Sequence, residues 1–203
     1  MSCTRLLLVR HGQTLGNLAG GTVMLGRTDF PLTVDGVQQA RRVARRLATY
    51  TFDAVYSSPL QRAVATAREV VALHRVPLHW CPGLQEIDCG HADGLDVETA
   101  KRRYPELWKL NDDQQDPDFR WPGGESYRDL RRRALAACGT IAARHPGGAA
   151  VVVTHSGVIN QVLGSLAGLS AAAWKPMRPD HCTITAVEWP PRPSSRPWSL
   201  LVR

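Results

Sequence analysis

The chain is poor in the features that would make it a secreted, metal-stapled or membrane protein. Its five cysteines, Cys3, Cys81, Cys89, Cys138 and Cys182, are odd in number and never form a C-x-x-C pair. This usage argues against a disulfide framework and against a zinc site, and fits a reducing cytoplasm. No apolar run approaches the roughly 18 residues of a membrane span, and Leu6 to Val9 is too short for a signal-peptide core. The expectation is a cytoplasmic protein with no membrane partner. There is no internal repeat and no interdomain linker, so the 203 residues are read as one domain, 1–203, long enough to bury a real core.

Lysine is scarce as well. The formal charge of +7 is carried almost wholly by arginine, including the runs Arg41-Arg42 and Arg131-Arg132-Arg133. No zinc spacing, aromatic RNA-binding motif or long basic tail accompanies them. The runs are therefore expected on solvated helix faces that attract anions in general, with no nucleic acid partner.

What is present is alternation. Leu6 to Val9 reads as a strand covered on both faces. Thr33 can cap a helix from Val34 to about Tyr50, with Val37, Ala40, Val43, Ala44 and Leu47 on one stripe. A second strand, Phe52 to Tyr56, runs into a helix in which Ser58 suits the cap and Pro59 the first turn. Ser126 with Asp129 forms a capping-box pattern before Leu130, Ala134, Ala137 and Ile141. Ala149 to Thr154 is β-branched and leads through a glycine turn into a helix bearing Val158, Val162, Leu163 and Leu166. The predicted fold is α/β, a doubly wound and mainly parallel sheet flanked by helices. A helical insertion at about 96–121 is placed over the active-site end, and strands at Thr183 to Trp189 and Ser199 to Val202 flank the proline-rich "PPRPSSRP".

In open α/β sheets ligands bind beyond the carboxyl ends of the strands. Three predicted strands end in anion-handling residues: Arg10-His11, then Ser57-Ser58-Pro59 with Arg62, then His155-Ser156. Arg62, about one turn into its helix, would grip one phosphate together with the helix start. His11 and His155 each follow a buried strand and precede a glycine turn, where a merely structural imidazole would lose solvation for little gain. The other five, His74, His79, His91, His145 and His181, are read as surface or core residues.

These residues carry a resemblance. "RHGQTLGN", "TDFPLTVDGVQQA", "SSPLQRAVATA", "LQEIDCGHADG", "PGGES" and "VTHSGV" resemble, in order, the blocks of the histidine phosphatase superfamily, the phosphoglycerate mutase-like proteins. The resemblance implies that His11 is a nucleophile that becomes phosphorylated, that Arg10, Arg62 and His155 hold the phosphoryl oxygens, that Asn17 contacts the phosphate and that Glu86 is the proton donor. Neighbouring arginines would keep His11 neutral and able to attack phosphorus. The same cations would neutralise charge on the equatorial oxygens.

The sequence departs from the family pattern at Ser156, at Asn160, and at Ala92 and Asp93, positions expected beside the pocket and bearing on substrate choice. Tyr104, Trp108, Phe119 and Trp121 in the insertion are expected chiefly as core, and Cys89 as a small buried cysteine. The implied function is a phosphomonoesterase, needing no metal or cofactor, that acts on a small phosphorylated metabolite. A 2,3-bisphosphoglycerate-dependent mutase and a non-catalytic phospho-ligand module are the alternatives. A homodimer is left open.

Overall fold

In the computed structural model of the chain, residues 2–18, 23–173, 179–190 and 199–202 are described, the last four by backbone alone. Six strands form one sheet: β1 (Thr4–Arg10), β2 (Ala54–Ser57), β3 (Leu78–Trp80), β4 (Ala149–Thr154), β5 (Ile184–Trp189) and β6 (Ser199–Val202), in the order β3-β2-β4-β1-β5-β6. The pairs β1·β4, β2·β4 and β2·β3 are parallel, whereas β5 runs antiparallel to β1 and β6 antiparallel to β5. The mainly parallel, doubly wound sheet is therefore as expected. Most of "PPRPSSRP" lies outside the described residues.

Among the described residues six α-helices accompany the sheet: α1 (Val34–Leu47), α2 (Gln61–His74), α3 (Val97–Arg103), α4 (Pro105–Asp113), α5 (Tyr127–Arg144) and α6 (Ser156–Leu166). Strand alternation decides which helix packs where. Leu7 and Val9 of β1 with Val151 and Val153 of β4 meet Val43, Ala44 and Leu47 of α1 and Ala63, Ala67 and Val70 of α2. Leu6 and Leu8 with Ala150 and Val152 meet Leu130, Ala134 and Ile141 of α5 and Val158, Ile159 and Val162 of α6. Both faces of the central strands are thus dry, which explains the unbroken apolar run Leu6 to Val9. Each of its larger side chains contributes about 1.5–3 kcal/mol by leaving water.

Thr33 caps α1 by accepting from the Gly36 N–H, and Ser126 caps α5 by accepting from the Asp129 N–H. Helix α1 stops at Leu47 rather than near Tyr50, and Ala48 already turns back by donating to the Arg45 and Arg46 carbonyls. Helix α2 starts at Gln61, later than Ser58 suggests. The Ser58 hydroxyl is engaged elsewhere, and the Gln61 N–H donates instead to the Asp29 carboxylate. Arg62 is consequently the second residue of α2, and the first N–H of that helix is already occupied.

The expectation that both arginine runs are solvated needs correction for the second run. Arg41 and Arg42 are exposed, but Arg131 and Arg133 are partly buried tethers. Arg131 donates to Gln161 Oε1 (2.8 Å) and to the Leu169 and Ser170 carbonyls (2.7 and 3.0 Å). Arg131 and Arg133, two positions apart, point to opposite flanks of α5, where each meets a different loop, and Arg132 between them is solvated and paired with Asp129.

Candidate active site

The parallel register sets Arg10 opposite Thr154, and Ser57 opposite Val153. The residues that immediately follow the three strands, His11, Ser58 and His155, are therefore side by side. His11 N–H donates to the Thr154 carbonyl and Ser58 N–H to the Val153 carbonyl, each at 3.0 Å, extending the ladder by one residue into the site. The His11 and His155 rings have centroids 5.1 Å apart.

Partners fix the tautomers. His11 Nδ1 is 2.8 Å from the Gly12 carbonyl oxygen, which can only accept. Nδ1 therefore holds the proton and Nε2 the lone pair. Arg62 Nε, which can only donate, reaches His155 Nδ1 at 3.3 Å, so His155 carries its proton on Nε2 and donates it to Ser58 Oγ at 2.8 Å. Burial, followed by the charges of Arg62 and Arg10, pushes the His11 imidazole well below its ordinary range. Burial and then Arg62 do the same to His155. The positive charge of the cluster thus comes from the guanidinium groups, and His11 is a neutral base with a free Nε2.

Glycine makes the close approaches. A Cβ on Gly12 would sit 2.4 Å from the Gly36 carbonyl oxygen, so the loop after His11 can touch the start of α1 only without a side chain. At Gly157 a Cβ would fall 2.1 Å from Glu86 Oε1. This space lets the Glu86 carboxylate lie against the first turn of α6, where Oε2 accepts from the Gly157 N–H (3.0 Å) and Oε1 from its own Ile87 N–H (3.0 Å), with Ser156 Oγ at 3.5 Å.

Arg62 is 1% exposed and makes four hydrogen bonds. Besides His155 it donates to the Thr28 and Gly26 carbonyls (2.9 and 2.7 Å) and to Asp29 Oδ1 (3.1 Å). The 26–28 loop that receives it is itself wrapped on Asp93, whose carboxylate accepts from the N–H groups of Gly26, Arg27 and Thr28. Asp93 is therefore a brace for Arg62 rather than a pocket residue, and Ala92 is fully buried. This corrects the expectation that both lie beside the pocket. Ser156 and Asn160 do line it.

The pocket is a cavity of about 540 Å³ lined by Arg10, Asn17, Glu86 and Ser156 together with Trp108, Trp121 and Tyr127. Arg10 donates to the Pro179 carbonyl (2.9 Å). Asn17 Oδ1 accepts from the Thr14 N–H and hydroxyl (3.2 and 2.8 Å), which commits the acceptor side of its amide to the loop.

His181, expected to be structural, is at the site instead. It also lines the cavity. Its Nδ1 donates to the His11 carbonyl (3.0 Å), its ring centroid is 5.5 Å from that of His11, and burial with the Arg10 charge lowers its pKa to about 4. It precedes β5 without an apolar run of its own, so nothing local in the sequence marked it.

Arg133 is the second residue missed. Its Nε and Nη2 form a bidentate pair with Glu125 of the "PGGES" block (2.6 and 2.7 Å). Its remaining donors hold the carbonyls of Gly83 (3.0 Å), Gln85 (2.6 Å) and Glu86 (2.9 Å). One guanidinium thus fixes the backbone that presents Glu86. Cys89 is the buried thiol expected, and burial raises its pKa.

A cluster of two arginines and neutral histidines at the carboxyl ends of adjacent parallel strands, with a carboxylate on the cavity wall, can bind a phosphoryl group and pass it to nitrogen. Comparison with known proteins agrees with that geometry. The model of the histidine phosphatase superfamily, branch 1, matches residues 6–195, and the chain belongs to that superfamily and, with phosphatases among its structural neighbours, is an enzyme of the phosphatase kind. Among relatives, it is 31% identical over 194 residues to the "Probable phosphoglycerate mutase GpmB" of Proteus mirabilis, covering 96% of this chain and 87% of the relative. It is 28% identical over 165 residues to the "Uncharacterized phosphatase PhoE" of Bacillus subtilis, covering 81% and 78%. Among solved structures, α-ribazole phosphatase from Shigella flexneri superposes with a TM-score of 0.83 at 26% identity, covering 98% of this chain and 95% of that one. A mycobacterial glucosyl-3-phosphoglycerate phosphatase superposes with 0.85 at 25% identity, covering 98% and 97%. Among the described residues no helix is long and apolar enough to cross a membrane.

Proposed function

We propose that the protein hydrolyses a small phosphomonoester through a phosphohistidine on His11. In the first step His11 Nε2 attacks phosphorus in line with the ester oxygen. The N–P bond forms as the P–O bond to the leaving group breaks, and Glu86 gives the departing alkoxide its proton. Arg10, Arg62 and the Nε2–H of His155 stabilise charge on the three remaining oxygens, with Asn17 and Ser156 as further polar contacts. Reaching those oxygens requires His155 to exchange its Ser58 partner for the phosphoryl group. In the second step Glu86 takes a proton from water, the water oxygen attacks phosphorus, and inorganic phosphate and neutral His11 are released. Arginine and histidine supply the positive charge throughout, so no metal is assigned a role, and the substrate is the one partner assigned.

The observation that carries the proposal is the His11 tautomer. With Nδ1–H committed to the Gly12 carbonyl and the ring held neutral, Nε2 is a lone pair among cations. Names among the relatives include a mutase, which shares the first step and returns the phosphoryl group to a second acceptor. The acidic segment from Asp112 to Asp118, which follows most of α4, favours water over a bisphosphorylated intermediate. Assaying 3-phosphoglycerate with catalytic 2,3-bisphosphoglycerate beside a panel of phosphomonoesters separates the two. Phosphate release faster than isomerisation is expected, and isomerisation outpacing release in the same tube would make the protein a mutase.

A further inference from the structure

We propose that the cavity beside the phosphoryl cluster receives a leaving group with a flat, apolar, uncharged body, an alcohol carrying an aromatic ring, and that Trp108 is the residue that selects it. The proposal rests on the phosphatase reading above and adds to it a class of substrate. One cavity is lined by Arg10 and Glu86 and also by Trp108 and Trp121, so a leaving group bonded to a phosphoryl group held by the first pair shares its space with the indoles. Its volume of about 540 Å³ is within the roughly 300–1,000 Å³ of small-molecule sites.

Two polar residues of the wall, Tyr127 and Gln161, have their polar atoms engaged within the protein. The Tyr127 hydroxyl donates to Asn111 Oδ1. Gln161 accepts from Arg131 at Oε1 and donates from Nε2 to the Ala171 carbonyl, both at 2.8 Å, which uses both ends of its amide. Trp121 is 2% exposed and fixed edge-on to Phe119 at 5.3 Å, with the Trp108 ring 6.1 Å away. The Lys101 ammonium, paired with Glu98, lies 5.4 Å over the Trp108 ring and holds it in place without lining the cavity. Met24 and Leu25 add apolar lining, and the exposed Asp112, also in the lining, brings negative rather than positive charge to it, which does not suit a leaving group with a carboxylate or second phosphate. A rigid, pre-packed aromatic wall rewards a ring that stacks or packs edge-on, and gives little to a short polyol.

The test uses non-hydrolysable probes, so that binding is read apart from turnover. Titration calorimetry with 2-phenylethylphosphonate and propylphosphonate should give a dissociation constant about 10-fold or more lower for the phenyl compound. The kcat/KM for 2-phenylethyl phosphate should exceed that for propyl phosphate and 3-phosphoglycerate by a similar factor. Trp108→Ala should bring the phenyl preference to within about 3-fold, whereas Trp108→Phe, which keeps a ring in the α4 site, should retain most of it. Equal affinity for the two phosphonates, or a preference unchanged in Trp108→Ala, would overturn the proposal whatever the turnover. A clear phenyl preference in binding with no phosphate released from any ester would uphold the aromatic chamber and overturn the phosphatase reading.

Discussion

His11 and His155 occupy main-chain positions that the register of β1 against β4 sets to within a residue, whereas Trp108 and Trp121 are placed by a small satellite core of Cys89, Ala92 and Phe119 packed with Met24, Tyr104 and Tyr127. At the strand ends, backbone hydrogen bonds, two guanidinium groups and the loop wrapped on Asp93 leave the polar groups little freedom. At the aromatic end, position depends on side-chain packing between short helices that belong to neither face of the sheet. The difference teaches that chemistry and selectivity are separable here. Substitutions at the strand ends should remove the reaction for every substrate, and those at the aromatic end should change which substrate reacts.

The sharpest way to break that comparison is His11→Ala, which should lower kcat by at least about 10⁴-fold for all esters while the protein stays folded. Turnover within tenfold of the parent would move the nucleophile elsewhere. Glu86→Gln should follow, with kcat for alkyl esters down about 10²–10⁴-fold and nitrophenyl phosphate, whose leaving group needs less help, affected much less. Equal losses on both, with chemistry shown to limit the rate, would mean that Glu86 does not protonate the leaving group.

Arg133 lies between the two regions and tests how the carboxylate is held. Arg133→Met keeps the aliphatic stem but frees the carbonyls of Gly83, Gln85 and Glu86 and removes the ion pair of Glu125. A displacement of about 1 Å can cost 10²-fold, so kcat for alkyl esters should drop about 10–100-fold with the same tilt against poor leaving groups that Glu86→Gln shows. Arg133→Lys should rescue little, because a point charge cannot make the bidentate pair. If both ester classes lose rate equally, Arg133 serves stability alone.

The smallest effect expected is on stability against acid. His11, His155 and His181 all have pKa values below the ordinary 6.5, chiefly through burial. The unfolded chain therefore takes up protons that the folded chain refuses. Stability that is complete above about pH 6.5 is lost as the pH falls below it, and for His181 the loss levels off near pH 4. The thermal midpoint should drop by about 5 °C or more between pH 6.5 and 5. A midpoint flat across that interval would show that the imidazoles are not buried neutral.

What the sequence disclosed, and what it hid, follows the same divide. β1 and β4 were legible because a strand dry on both faces needs an unbroken apolar run, and the Arg10-His11 and His155-Ser156 pairs that end them announce the site. The caps at Thr33 and Ser126 follow from hydroxyls three residues before an N–H they can accept. β3, with three residues on an exposed edge, is too short to show a period. His181, Asp93 and Arg133 act over 47 to 170 positions of sequence, and no local pattern encodes such a contact. The start of α2 was misplaced for a related reason, since the cap comes from Asp29, 32 positions away.

The central claim is that the phosphoryl group passes first to His11 Nε2 and only then to water, and the stereochemistry at phosphorus tests it most directly. A phosphorothioate ester chiral at phosphorus, hydrolysed in water of a different oxygen isotope, reports the number of in-line displacements. Two displacements, onto His11 and then onto water, predict net retention of configuration. Net inversion would mean that water attacks the ester directly, and would contradict the account.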